Sequence, residues 1–301
     1  MPRSCSQFET FCCCVIVGLL VYYFTRQDGY EEERSKLPPK YAPDFAVGNV
    51  DFPQDPEITR KFYETSVEAR RKLLSNVLQN KSSTKEWAFA GLYNGLVPEV
   101  LCPSLIRIGA VNDGGKWMCR PWGMPDNCSI YSLGVNQDTS FEREVQALTG
   151  SRCRIFAYDK NAPKSNSVLK GFEEIRAKFK RGFIGDVQDE AAGKLSLIEE
   201  MRLNGDQEIE ILKIDIEGGE FVVLPSILQH TKICQILVEV HGDPNRVLKL
   251  LKLLGQHEYR LFSYEINGKH HTLAEYSLVH KDCFEKYGIT PYAHYLDGLD
   301  G

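Results

Sequence analysis

Residues 209–228 read IEILKIDIEGGEFVVLPSIL: a β-branched apolar run stops at Asp215, Glu217, Gly218, Gly219 and Glu220, and helical spacing follows. A buried strand that ends in carboxylates delivers them to a turn. An acid taken out of water without a partner is costly, so acids at such a place face a bound group or an open crevice. The run QILVEVH ends in the same style, with Glu239 and His241. Asp215, Glu217 and His241 are therefore the candidate catalytic residues. Carboxylates favour a cationic reactant, and an imidazole with its ordinary pKa of about 6.5 suits proton transfer at neutral pH. A hydrogen-bonded structural histidine is the alternative reading of His241. A divalent ion shared by Asp215, Glu217 and His241 is conceivable from the donor types, but no metal site is assigned on residue type alone.

Three further runs end in residues suited to a ligand. Gly134 lies near the end of IYSLGV, with Asp138 shortly after it; here a glycine lets backbone approach a ligand and the next helix offers free N–H groups. The usual Gly-x-Gly-x-Gly run is missing, and Asp138 or Ser140 serves equally well as a helix cap. Asp159 ends RIFAYD 25 residues beyond Gly134, close to the spacing at which an acid accepts hydrogen bonds from ribose hydroxyls. An Asx turn before Lys160 is its alternative. Asp186 closes RGFIGD, with a surface-loop acid as the other reading. Gly134, Asp138, Asp159 and Asp186 form the expected cofactor-binding set.

Five apolar runs (130–135, 154–159, 181–186, 210–215 and 235–241) alternate with stretches of helical character at 140–148, 168–179, 192–204, 220–229 and 245–256. That alternation predicts an α/β fold, a mostly parallel sheet with helices on both faces. Right-handed crossovers then gather the strand carboxyl ends on one edge. Residues 259–266 and 275–280, joined by Asn267-Gly268-Lys269, predict a C-terminal antiparallel hairpin. A leading helix is expected over 57–79. Asp113-Gly114-Gly115-Lys116-Trp117 is either a lid over the acceptor or a turn before an accessory strand.

The segment KIDIEGGE (213–220) resembles the KIDxEGxE signature of FkbM-type methyltransferases. Residues 113–119 (DGGKWMC), 130–135 and 138–142 are similar to the related animal membrane-anchored methyltransferase-like proteins. The resemblance covers residues 87–280. It implies a Rossmann-like class I methyltransferase fold that binds S-adenosylmethionine and methylates hydroxyl groups of small molecules or sugars. On that basis Gly134, Asp159 and Asp186 line the cofactor, Asp186 beside the adenine amine, while Asp215 and Glu217 face the methyl group and acceptor. A fold of this kind retained without catalysis, as a binding or scaffold protein of the secretory pathway, is the competing expectation. A nucleotide-sugar transferase is a third, but no metal-binding DxD stands in the chain.

With 301 residues, 43% of them hydrophobic, the chain can bury one full α/β core and still carry an appendage. A net charge of −5 excludes a generally basic surface, so nucleic acid is not an expected partner, whereas a small-molecule or glycan acceptor is. The uncharged run FCCCVIVGLLVYYF predicts a transmembrane signal anchor at 8–25, after a cytosolic tail at 1–7, with a cleaved signal peptide as the alternative reading. A proline-rich, charged stem follows at 26–56, and the body at 57–301 is expected in the lumen of the ER or Golgi as part of a single-pass type II membrane protein. Six cysteines in the body suit an oxidising compartment, with Cys119–Cys128 the expected disulfide. Asn80 and Asn127 begin N-glycosylation sequons.

Overall fold

The computed structural model describes residues 57–81, 84–111 and 113–300. The expected tail, anchor and stem fall outside the described residues. Among the described residues, no helix is long and apolar enough to cross a membrane.

The centre is set by three short runs with little but apolar side chains. Strands β4 (Ser129–Leu133), β9 (Ile209–Ile214) and β10 (Ile233–Val240) are buried along their whole length. β-branched residues on both faces of a strand leave it no solvated side, so it is stable only with cover above and below. Helices supply that cover.

In chain order, α1 (Glu57–Leu78) and α2 (Lys85–Gly95) lead into β1 (Val100–Leu101) and the hairpin β2 (Leu105–Ile108) and β3 (Lys116–Cys119). After β4 come α3 (Ser140–Leu148), β5 (Arg154–Asp159), α4 (Asn166–Glu174) and β6 (Ala177–Arg181). A small parallel pair, β7 (Phe183–Gly185) and β8 (Lys194–Ser196), precedes α5 (Leu197–Asn204) and β9. Then follow α6 (Glu220–Ile227), β10, α7 (Pro244–Gln256), β11 (Tyr259–Ile266) and β12 (Ala274–His280). The helix α7 shows how sequence dictates the local fold. Asp243 accepts hydrogen bonds from the N–H groups of Asn245 and Arg246, Pro244 occupies the first turn, and Val247, Leu248, Leu251 and Leu254 form one buried stripe.

The seven-stranded sheet has the order β11-β12-β10-β9-β4-β5-β6. The five strands from β10 to β6 are parallel, and β12 runs against β10 and β11. This is the expected Rossmann-like methyltransferase fold, with the C-terminal hairpin in place. The order reverses at β4, where consecutive strands step outward in opposite directions, so a crevice opens at its carboxyl end.

The outer strands depart from expectation. The third parallel strand is β6, which takes in residues 177–179 of the expected helix and Arg181 of the expected run RGFIGD. The helix stops at Glu174, and Arg176 turns the chain at φ 57°. The rest of that run forms β7, outside the main sheet. The helix expected from 192 starts at Leu197, because Lys194–Ser196 pairs with β7.

The cysteine pairing also differs. Cys102 bonds Cys119, Cys128 bonds Cys153 and Cys234 bonds Cys283, so the expected Cys119–Cys128 bridge is not formed. The reason is topological. Cys128 and Cys153 immediately precede the paired strands β4 and β5, which brings their Cα atoms to 4.5 Å, while Cys119 ends β3.

Candidate functional site

A cavity of about 650 Å³ opens at the carboxyl edge of the sheet, over the crevice between β4 and its neighbours. Gly134, Asp159, Asp215, Glu217 and His241 all line it, with Glu239 and Asn267. Residues separated by more than a hundred positions meet because four parallel strands end together.

The strand ends are tied to one another. Gly134 donates its N–H to the Tyr158 carbonyl at 2.8 Å, and Asp215 donates to the Leu133 carbonyl at 3.0 Å. Gly134 has φ +79°, and a Cβ there would lie 1.7 Å from the Asp215 carbonyl oxygen. Its lack of a side chain thus answers first to backbone packing, and only beyond that to a ligand.

Register explains the charge distribution. Glu239 stands directly opposite Glu275, and Glu275 opposite Glu265. Val238 pairs with Ile214, so Asp215 continues the same row one position on. Four acids therefore cross four adjacent strands side by side. Like charges so placed repel unless cations face them. The β2–β3 hairpin brings two. Arg107 contacts both oxygens of Glu265, at 2.8 and 3.1 Å, where Trp117 Nε1 also donates at 2.5 Å. Lys116, wholly buried, places Nζ 2.5 Å from Glu275, 3.8 Å from Asp215 and 3.9 Å from Glu239. Gln235 fixes this hairpin in place by exchanging two hydrogen bonds with the Cys119 backbone.

Lys116 alone cannot neutralise three carboxylates. Burial and then the charges of Glu275 and Asp215 push Glu239 up to about 8. His241 feels the opposite pull. Burial works against its charge, but the hydrogen bond to Glu220 and the fields of Glu220, Asp215 and Glu239 outweigh it, pushing the imidazole up to about 9. In the site as it stands, His241 holds its proton at neutral pH instead of being ready to accept one.

The orientation of His241 comes from Glu220, the first residue of α6. That fully buried carboxylate accepts from the Ile216 N–H at 2.9 Å and contacts His241 Nδ1 at 3.1 Å. The other ring nitrogen, Nε2, faces Glu217 at 3.5 Å and Asp215 at 3.8 Å. Glu217 sits in a left-handed turn, φ +58°, with its side chain 68% exposed at the rim.

The other side of the cavity is built differently. Asp159 accepts from the N–H groups of Asn136 and Asn161, both at 2.7 Å. The Asx turn is therefore present, and the same carboxylate still lines the cavity. Beyond it the wall is formed by Gly182, Phe183 and Ile184.

Two expected residues are not part of this cavity. Asp138 is exposed and accepts from the N–H of Ser140, the first residue of α3, at 2.8 Å. Asp186 is exposed beyond β7, because the strand that ends at the crevice is β6 and its successor there is Gly182. Conversely, Lys116 and Glu275 are not among the expected site residues. Their signal is faint: a single charge inside an otherwise apolar run, in GGKWMC and in LAEYSLV. A charge in such a setting is buried and needs a partner.

A Rossmann-like sheet with this hairpin and a polar cavity at its switch point defines the class I methyltransferase architecture. The chain belongs to the methyltransferase-domain family Methyltransf_22, whose model matches residues 58–280. No curated protein matches it. Fibrillarin, a pre-rRNA processing protein of Methanococcus jannaschii, is similar at TM-score 0.37 and 8% identity over 52% of this chain and 69% of its own. A precorrin-6y C5,15-methyltransferase of Geobacter metallireducens gives 0.34 and 12%, over 54% and 83%. A Clostridium thermocellum protein named as an rRNA methylase gives 0.35 and 14%, over 52% and 90%. At such values these likenesses carry no inference about substrate.

Proposed function

We propose that the protein is an S-adenosylmethionine-dependent O-methyltransferase of FkbM-like type, acting on a hydroxyl of a glycan or other small molecule. The observation that carries this reading is the meeting of Gly134, Asp159, Asp215 and His241 around one cavity in a chain of a methyltransferase family. Residues 8–25 are its membrane anchor in this reading, with the body in the lumen of the secretory pathway. The three disulfides support an oxidising compartment, and the acidic net charge argues against a nucleic-acid substrate.

The residues present fit the cofactor. Asp159 stands at the end of the second parallel strand, where a carboxylate receives ribose hydroxyls. The acid row gives the cavity floor a negative potential, which favours a positively charged sulfur. When bound, S-adenosylmethionine supplies a methyl group on that sulfur. Asp215, Glu217 and His241 then face the acceptor. In a site without a metal ion, the positive sulfur of a bound cofactor would offset the carboxylate field that keeps His241 protonated, and His241 Nε2 would be the group to take the hydroxyl proton.

Calorimetric titration of the purified full-length chain with S-adenosylmethionine tests the reading. Binding that Asp159→Ala weakens by tenfold or more, roughly the loss of one charged hydrogen bond, is expected. Absence of binding would favour the scaffold alternative, and mass spectrometry over a glycan and metabolite library identifies the acceptor.

A further inference from the structure

The floor of the cavity has more acidic side chains than cations to face them. Asp215, Glu239 and Glu275 share one lysine, and His241 is already matched by Glu220. Glu275 is 3% exposed and pairs with Lys116 Nζ at 2.5 Å, with the carboxylates of Glu239 and Asp215 close beside it. Buried carboxylates left in this condition point to a further cation.

The donor geometry says which kind. One ligand atom each from Asp215, Glu239 and His241 lie within 4.8 Å of one another. The remaining contacts of those side chains are the ones a metal site uses to orient its ligands. Glu220 holds His241 Nδ1, which turns Nε2 towards the acids, and Asn267 Nδ2 donates to Glu239 Oε1 at 2.9 Å. Lys116 lies beneath the floor and leaves the cavity side open.

We propose that Asp215, Glu239 and His241 are the protein ligands of a divalent cation at the floor of the cavity. Two carboxylates and one imidazole suit a metal of the manganese type, and three protein ligands leave coordination positions for water or an acceptor oxygen. Glu217, which donor type alone suggested, gives way to Glu239 because its turn carries it out to the rim.

The ion's chemical role, though not its binding, rests on the methyl-transfer reading. It holds the acceptor hydroxyl and makes it more acidic, and the proton passes to Glu217 and out to solvent. The carbon–oxygen bond forms as the carbon–sulfur bond breaks, with the electron pair left on sulfur. His241 is then a ligand and not the base.

The test is titration of the chelator-treated full-length protein with manganese chloride alone, by calorimetry and electron paramagnetic resonance. One site per chain is expected. Its affinity should fall about tenfold or more in Glu239→Gln and in His241→Ala, and about tenfold in Glu220→Gln, which acts through the histidine. Asp186→Asn, outside the cavity, is the control. No manganese binding by the folded wild type, or binding unchanged in both Glu239→Gln and His241→Ala, overturns the proposal. Titration of the same preparation with S-adenosylmethionine reads the methyltransferase assignment separately: binding of cofactor but not manganese overturns only the metal site, and the reverse supports it while sinking the methyl-transfer reading.

Discussion

The two sides of the cavity solve the problem of a buried acid in opposite ways. On the β5 side, Asp159 is satisfied locally by two backbone N–H groups from loops a few residues beyond β4 and β5. On the β9–β12 side, Asp215, Glu239 and Glu275 depend on one lysine from a hairpin about a hundred residues or more earlier in the chain. Backbone donors are fixed by the turn that bears them, so the first arrangement is self-contained. A shared ammonium is not: it makes the second arrangement sensitive to anything that moves the hairpin, and open to any added cation.

The sharpest break in that comparison is Lys116→Met. Removing the partner of buried carboxylates costs about 3–5 kcal/mol, which urea denaturation would read as a lower midpoint. Adding Glu275→Gln to Lys116→Met should recover part of the loss, since the two side chains are 2.5 Å apart. A loss in the double variant equal to the sum of those in Lys116→Met and Glu275→Gln alone would mean that the pair is not coupled.

The disulfides separate the two sides next. Cys102–Cys119 closes 17 residues and ends three positions after Lys116, whereas Cys128–Cys153 closes 25 and joins the starts of β4 and β5, away from the cavity. Chain entropy assigns about 3 kcal/mol to each. Replacing either pair by alanines should therefore lower the denaturation midpoint similarly. Only loss of Cys102–Cys119 should also change ligand binding in the cavity, and calorimetry on both variants distinguishes the two.

What the sequence disclosed follows the same division. The central strands were legible because burial on both faces forces continuous apolar runs, as in IEILKI and ICQILVEV. β6 was not, because an edge strand with one neighbour keeps solvent on its open side and tolerates Lys178, Lys180 and Arg181. Asp159, Asp215, Glu217 and His241 reach the cavity because each sits at or just past the end of such a run. Asp186 failed for the reason β6 did: the run that pointed to it was not the strand that reaches the crevice. Lys116, Glu275 and the cysteine pairs depend on register between distant segments, a property that local composition does not encode.

A smaller effect opposes the two ends of the sheet. His280 lies at the amino edge, half-buried, with its ring against Tyr259 at 5.0 Å and Nδ1 accepting from the Asp282 N–H at 3.2 Å. Burial holds it below the usual histidine range, helped by Lys232 and Lys281 and opposed by Asp282 and Glu258. A histidine lowered on folding contributes stability that is complete above its unfolded pKa of about 6.5 and is lost as pH falls through the folded value. His280→Asn keeps an acceptor for the Asp282 N–H and removes the titration. The expected outcome is a shallower fall in urea midpoint below about pH 6.5 with little change at higher pH. An unchanged slope would show that His280 meets the same environment folded and unfolded, and that the contrast between the two edges of the sheet rests on the acid row alone.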